Sequence, residues 1–128
     1  MKSKQEKYDA LIVEDEKDLC FLLSLILRQK GINPLCINTI REAKVCIKRE
    51  SPDILFLDNH LTDGSGIDFI LEMKKHNPQT KIVMITAHNS AMDREKALIN
   101  GADYFISKPF NMETIINILN TLYLPKTG

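Results

Sequence analysis

Residues 53–58 read Asp53-Ile54-Leu55-Phe56-Leu57-Asp58, four consecutive large apolar side chains held between two carboxylates. A strand with one wet face would alternate apolar and polar residues, so an unbroken short run bounded by acids predicts a strand covered on both faces. Residues 10–13, 35–37, 82–85 and 104–106 have the same character, and Asp9 and Asp103 precede two of them as Asp53 precedes this one. The stretches between are long enough for helices and carry start signals. Thr39 with Glu42, Ser65 with Asp68 and Ser90 with Asp93 resemble capping boxes, while Asp15 and Asn111 are the expected caps of the first and last helices. Stops follow: Gly31 and Gly101 offer left-handed termini, and Pro52 and Pro78 cannot continue a helix. Strand and helix thus alternate five times, the pattern of an α/β fold with a doubly wound five-stranded parallel sheet and helices on both faces.

Composition agrees with one globular domain. The chain has 128 residues, 44% hydrophobic and 27% charged, enough to bury a sizeable core without metal or disulfide staples. Seventeen basic residues balance seventeen acidic ones, which gives no support to a general attraction to nucleic acid or anionic membrane. Residues 1–7 read as a flexible polar tail and about 8–124 as the core. The longest apolar run, near residues 19–27, is interrupted by Ser24 and is too short for a membrane span. Cys20, Cys36 and Cys46 are an odd set without zinc-site spacing, so reduced thiols and a cytoplasmic location are the expectation.

In such sheets ligands bind beyond the carboxyl ends of the strands, and the residues there are chemically selected. The first run ends in Glu14-Asp15, the third in Asp58, the fourth in Thr86-Ala87 and the fifth in Ser107-Lys108-Pro109. Two carboxylates roughly 6 Å apart repel by about 3 kcal/mol at an effective dielectric near 20, so three of them call for counter-charge. Lys108 supplies one positive charge, and a hard divalent cation such as Mg²⁺ would supply two more while leaving positions for water and phosphate oxygens. The set therefore suits phosphoryl chemistry: lysine and metal neutralise the group, a threonine hydroxyl binds one of its oxygens, and a carboxylate can be the nucleophile.

Taken in order, Ile12-Val13-Glu14-Asp15-Glu16, Asp58 after its apolar run, Thr86-Ala87 and Lys108-Pro109-Phe110 resemble the receiver domain of bacterial two-component response regulators, over about residues 8–123. The resemblance implies a single receiver domain over 1–128 with the flavodoxin-like strand order 2-1-3-4-5. It implies that Asp58 is the phosphoacceptor and that Mg²⁺ is held by Glu14, Asp15, Asp58 and the backbone carbonyl of His60. Thr86 and Lys108 match the family's hydroxyl and lysine, Phe105 its switch aromatic, and the Lys108-Pro109 bond is cis in relatives. The implied activity is that of a switch more than an enzyme, one that assists its own phosphorylation and dephosphorylation. The implied partners are a sensor histidine kinase or histidine phosphotransfer protein, with a homodimer on phosphorylation and no direct binding to nucleic acid or membrane. One departure is Thr62, where many receivers have proline, and a shifted loop is expected there. His60 and His88 flank the site, with His76 expected only as a helix-terminal cation.

Two helix faces extend these expectations. Leu19, Leu22, Leu23 and Ile26 make the core face of the first helix, leaving Phe21 and Leu25 outward as a docking patch for the kinase. In the last helix Met112, Ile115, Ile116, Leu119 and Tyr123 are the expected core stripe, with Ile118 and Leu122 toward one flank. The fourth helix, fifth strand and fifth helix would form the output face. Other classes fit less well. A flavin-binding electron carrier needs a hydroxyl- and glycine-rich phosphate loop where this chain has Glu14-Asp15-Glu16, a phosphorylation-independent interaction module leaves the acids without purpose, and a phosphatase for small esters is the weakest alternative.

Overall fold

The computed structural model describes residues 7–87 and 90–122. Its elements in chain order are β1 (Ala10–Val13), α1 (Lys17–Gln29), β2 (Pro34–Ile37), α2 (Ile40–Arg49), β3 (Ile54–Asp58), β4 (His60–Leu61), β5 (Gly64–Ser65), α3 (Gly66–His76), β6 (Lys81–Thr86), α4 (Ala91–Asn100), β7 (Tyr104–Ser107) and α5 (Met112–Leu122). The main sheet is parallel throughout with order β2-β1-β3-β6-β7, which is the expected 2-1-3-4-5 once the small antiparallel β4-β5 ribbon is set aside.

Alternation along the strands sorts the core into two layers. Leu11, Val13, Leu55, Leu57, Ile82 and Met84 pack against α2, α3 and α4 through Ala43, Ile47, Ile70, Met73 and Ala97. Ala10, Ile12, Ile54, Phe56, Val83 and Ile85 face α1 and α5 through Leu23, Ile26, Leu27, Ile115 and Leu119. The central strands are therefore apolar at every position because each successive side chain meets a different helix layer.

Several local expectations hold. Thr39 Oγ1 accepts from Glu42 N–H at 3.1 Å while Glu42 reaches back to Asn38 N–H, Ser90 caps Asp93 N–H, and Asn111 caps Thr114 N–H. Each such cap contributes about 1 kcal/mol. Gly31 and Gly101 take positive φ of 78° and 123°. On α1, Phe21 and Leu25 are exposed as expected, with Leu27 joining Leu23 and Ile26 in the core and Leu19 and Leu22 half-buried.

Others are corrected. Asp15 does not cap α1: Glu16 occupies the N-cap position and gives no side-chain cap bond. Ser65 holds the N-cap position of α3 but makes no side-chain cap bond; the Ile67 N–H at the helix start donates to Asn59 Oδ1 instead. Met112 is exposed and Ile118 buried, so the buried face of α5 is rotated towards Ile115, Ile118 and Leu119. Cys20 and Cys36 are joined in a disulfide between α1 and β2, Cα atoms 6.2 Å apart, and Cys46 is free, which replaces the expected reduced set. The two cysteines are distant in sequence but adjacent elements bring them together. Tyr123, His88 and residues 1–6 of the expected tail lie outside the described residues.

Candidate functional site

Register assembles the site. Val13 pairs with Leu57 and Asp58 with Ile85, so β1, β3 and β6 end at one level and Glu14 emerges beside Asp58. Backbone bonds continue past the strand ends: Glu14 N–H donates to Ile37 C=O, Asn59 N–H to Ile85 C=O, and Lys108 N–H to Thr86 C=O at 2.8 Å. Each functional residue is thereby held by the main chain before its side chain acts. The Lys108-Pro109 bond is cis.

Glu14, Asp15 and Asp58 each present an oxygen within 4.8 Å of the others, Glu14 and Asp58 buried and Asp15 exposed. Lys108 Nζ stands among them, 3.3 Å from Glu14, 3.3 Å from Glu16 and 3.7 Å from Asp58. Glu14 Oε2 accepts from Glu16 N–H and from Lys108 Nζ, and Asp58 Oδ1 accepts from His60 N–H at 3.3 Å. Glu14 Oε1 is different. It lies 3.3 Å from Lys108 Nζ but, among the described residues, has no hydrogen-bond donor, a buried carboxylate oxygen whose nearest cation is that lysine. Such an atom is costly unless something electropositive completes it. The exposed mouth, about 320 Å³, is lined by Asp15, Glu16, Asp58, His60, Ala87 and Lys108.

Electrostatics follow the geometry. Burial pushes the Glu14 carboxyl up to about 7, with Asp58 adding to the rise and Lys108 opposing it. Burial also raises Asp58, against the pull of Lys108. On Lys108 burial disfavours the charge, but Glu14 and Asp58 outweigh it and its pKa rises. A carboxyl raised by folding binds more protons folded than unfolded, so it opposes stability as pH climbs from its ordinary value to its folded one. In chelator, stability is accordingly expected to fall between about pH 4.5 and pH 7, by on the order of 2 kcal/mol from Glu14. Lys108 does not alter that window, since its contribution is lost only above its ordinary alkaline range. Urea denaturation at pH 5, 6, 7 and 8 measures the slope, and a flat or rising profile would contradict it.

Thr86 is fully buried at the end of β6 and Phe105 nearly so on β7, with the Arg94 guanidinium 5.1 Å from the Phe105 ring centroid. Two further residues frame the end of β3 that carries Asp58, and of these Asn59 carried no signal in the sequence. Buried Asn59 accepts from Ile67 N–H and Ser65 Oγ through Oδ1, and its carbonyl accepts from Gly66 N–H. Gly66 is then so close that a Cβ there would sit 2.3 Å from the Asp58 carbonyl oxygen. The Gly64-Ser65-Gly66 turn was a visible signal; the packing behind it was not.

The fold is a doubly wound α/β sheet whose carboxyl rim gathers three carboxylates that could hold a metal ion, with a lysine and a buried threonine beside them. The response regulator receiver domain model matches residues 10–120, and the chain belongs to that family. It is 33% identical to the probable transcriptional regulatory protein TcrX of Mycobacterium tuberculosis, over 92% of this chain and 50% of that one. It is 34% identical to the phosphate regulon transcriptional regulatory protein PhoB of Escherichia coli, over 83% and 47%. Among solved structures, the beryllofluoride-activated NtrC4 receiver domain dimer is 33% identical with a TM-score of 0.85, covering 89% of this chain and 94% of that one. The chain thus spans about half the length of these two curated relatives. Receiver domains act in phosphorylation-dependent signalling and hold Mg²⁺ in an acidic pocket, and this chain carries the acidic group.

Proposed function

We propose that this domain accepts a phosphoryl group on Asp58 from a phosphohistidine of a sensor kinase or phosphotransfer protein, with Mg²⁺, and relays the change to the face formed by α4, β7 and α5. The observation that carries the reading is the gathering of Glu14, Asp15 and Asp58 oxygens within 4.8 Å of one another, with Glu14 Oε1 buried and, among the described residues, without a hydrogen-bond donor. Glu14, Asp15, Asp58 and the His60 carbonyl would hold the cation, which when bound neutralises charge on the transferring group. An Asp58 oxygen attacks phosphorus, a P–O bond forms as the P–N bond to the donor imidazole breaks, and the imidazole takes up a proton. Lys108, already among the acids, balances the added negative charge. Thr86 binds a phosphoryl oxygen and Phe105 follows it, shifting the balance between two conformations; the burial of both on adjoining strands supports this.

Exposed Phe21 and Leu25 on α1 support kinase docking beside the site, and exposed Met92, Leu98 and Ile99 on α4 support phosphorylation-linked dimerisation at the output face. No helix among the described residues is long and apolar enough to cross a membrane. Membership of the family supports a cytoplasmic location for such a switch, one that assists its own phosphorylation and dephosphorylation.

Mg²⁺ tests the reading by linkage. A ligand at 100 times its Kd stabilises by about 2.7 kcal/mol, and binding is stronger where the carboxylates are ionised. Millimolar Mg²⁺ is therefore expected to raise Tm clearly at pH 7.5 and little at pH 5, reversing the slope seen in chelator. No shift at either pH would contradict the metal site.

A further inference from the structure

Beside the acidic site lies a pair of sulfurs for which the phosphoryl chemistry has no use. Cys20, at the end of the first turn of α1, and Cys36, the third residue of edge strand β2, are joined with Cα atoms 6.2 Å apart. That separation lies inside the range a disulfide spans without backbone movement, about 4.4–6.8 Å. Both residues are half-buried, and both line an open cleft of about 390 Å³ whose wall also includes Glu14 and Asp15. Small oxidants and reductants can reach them from solvent. Cys20 Sγ is also 3.7 Å from the Glu14 carbonyl oxygen, so the pair bears on the loop that carries Glu14 and Asp15. That loop enters α1 at Glu16 without a side-chain cap bond, which leaves the helix start weakly tied by local means.

We propose that Cys20 and Cys36 form a reversible dithiol–disulfide clasp, and that closing it tightens cation binding at the adjoining acidic site. The second half rests on the metal-binding reading above. With hydrogen peroxide as oxidant, one thiolate attacks a peroxide oxygen, the O–O bond breaks and a sulfenic acid forms. The second thiolate then attacks that sulfur, the S–S bond forms, and the S–O bond breaks. Two electrons pass from the sulfurs to the peroxide, and the two thiol protons leave with its oxygens as two waters. A small thiol reverses the bond by exchange. The closed clasp ties α1 to β2 in the cleft that Glu14 and Asp15 also line and restricts the motion of their loop, so less order remains to be imposed when the cation binds.

The test uses the chain with Cys46→Ser, which removes the free thiol, treated with either peroxide or dithiothreitol. Alkylation followed by intact mass is expected to count two thiols in the reduced form and none in the oxidised form. In chelator the oxidised form should melt roughly 5–10 °C higher. Calorimetric titration with Mg²⁺ should show about fivefold or greater tighter binding to the oxidised form. Cys20→Ser and Cys36→Ser, each added to that background, should bind as the reduced form under both treatments. Two free thiols persisting after peroxide in folded protein would overturn the clasp. Closure with equal Mg²⁺ affinity in both forms would overturn the coupling. Mg²⁺ binding to neither form would count against the metal reading instead, while the thiol count still decides the clasp.

Discussion

Asp58→Asn is expected to abolish phosphoryl incorporation from a small donor while leaving the fold intact. The side chains are nearly the same size, so the packing against Lys108 and the His60 amide need not change. What is lost is the anionic oxygen that the proposed transfer needs as its nucleophile, for which a neutral amide is no substitute. Stability should not suffer. Asp58 is only 4% exposed, burial disfavours its charge, and it repels Glu14 nearby. In chelator at pH 7.5 the variant should unfold at the same or a higher urea concentration than the parent, with Lys108 still held by Glu14 and Glu16. Loss of the adduct together with unchanged denaturation separates a chemical role from a structural one. An adduct of equal yield on the variant would remove Asp58 from the chemistry.

The second large effect is expected from one added methyl group. Gly66 opens α3, its N–H bonds the Asn59 carbonyl, and a Cβ there would lie 2.3 Å from Asp58 O and 3.1 Å from Asn59 Cα. Those neighbours are backbone of the strand end that presents Asp58, so relief requires α3 and the end of β3 to separate. Overpacking of this kind costs about 2–3 kcal/mol, or very roughly 10 °C in Tm. Gly66→Ala should also lower the phosphorylation rate at a temperature where it remains folded, because the displaced backbone carries Asp58. Thr62→Ala, on the exposed turn nearby, should stay within about 0.5 kcal/mol. Differential scanning calorimetry with a phosphorylation time course distinguishes the two variants, and equal behaviour would contradict the close approach.

The strands were legible because both faces of a central parallel sheet are covered, so runs such as Ile54 to Leu57 and Ile82 to Ile85 announce themselves without any alternation to interpret. The acidic rim was legible for a related reason: each functional residue directly follows its strand, and register alone brings Glu14 beside Asp58. Through-space arrangements were not. Asp63, on the turn between β4 and β5, accepts from Ile40 and Arg41 N–H and so helps cap α2 from 22 and 23 residues away. Ser65 has a capping residue's spacing, but buried Asn59 takes the Ile67 N–H at the start of α3. The Cys20–Cys36 pairing and the rotation of α5 towards Ile118 likewise depend on how neighbouring elements seat, which local patterns do not encode.

The decisive measurement is intact-protein mass after incubation with acetyl phosphate, with and without Mg²⁺, on the parent chain and on Asp58→Asn. One phosphoryl adduct is expected on the parent, dependent on Mg²⁺, labile to hydroxylamine as an acyl phosphate is, and missing from the variant. No adduct on folded parent protein, or one that forms equally without Mg²⁺ or without Asp58, would contradict it.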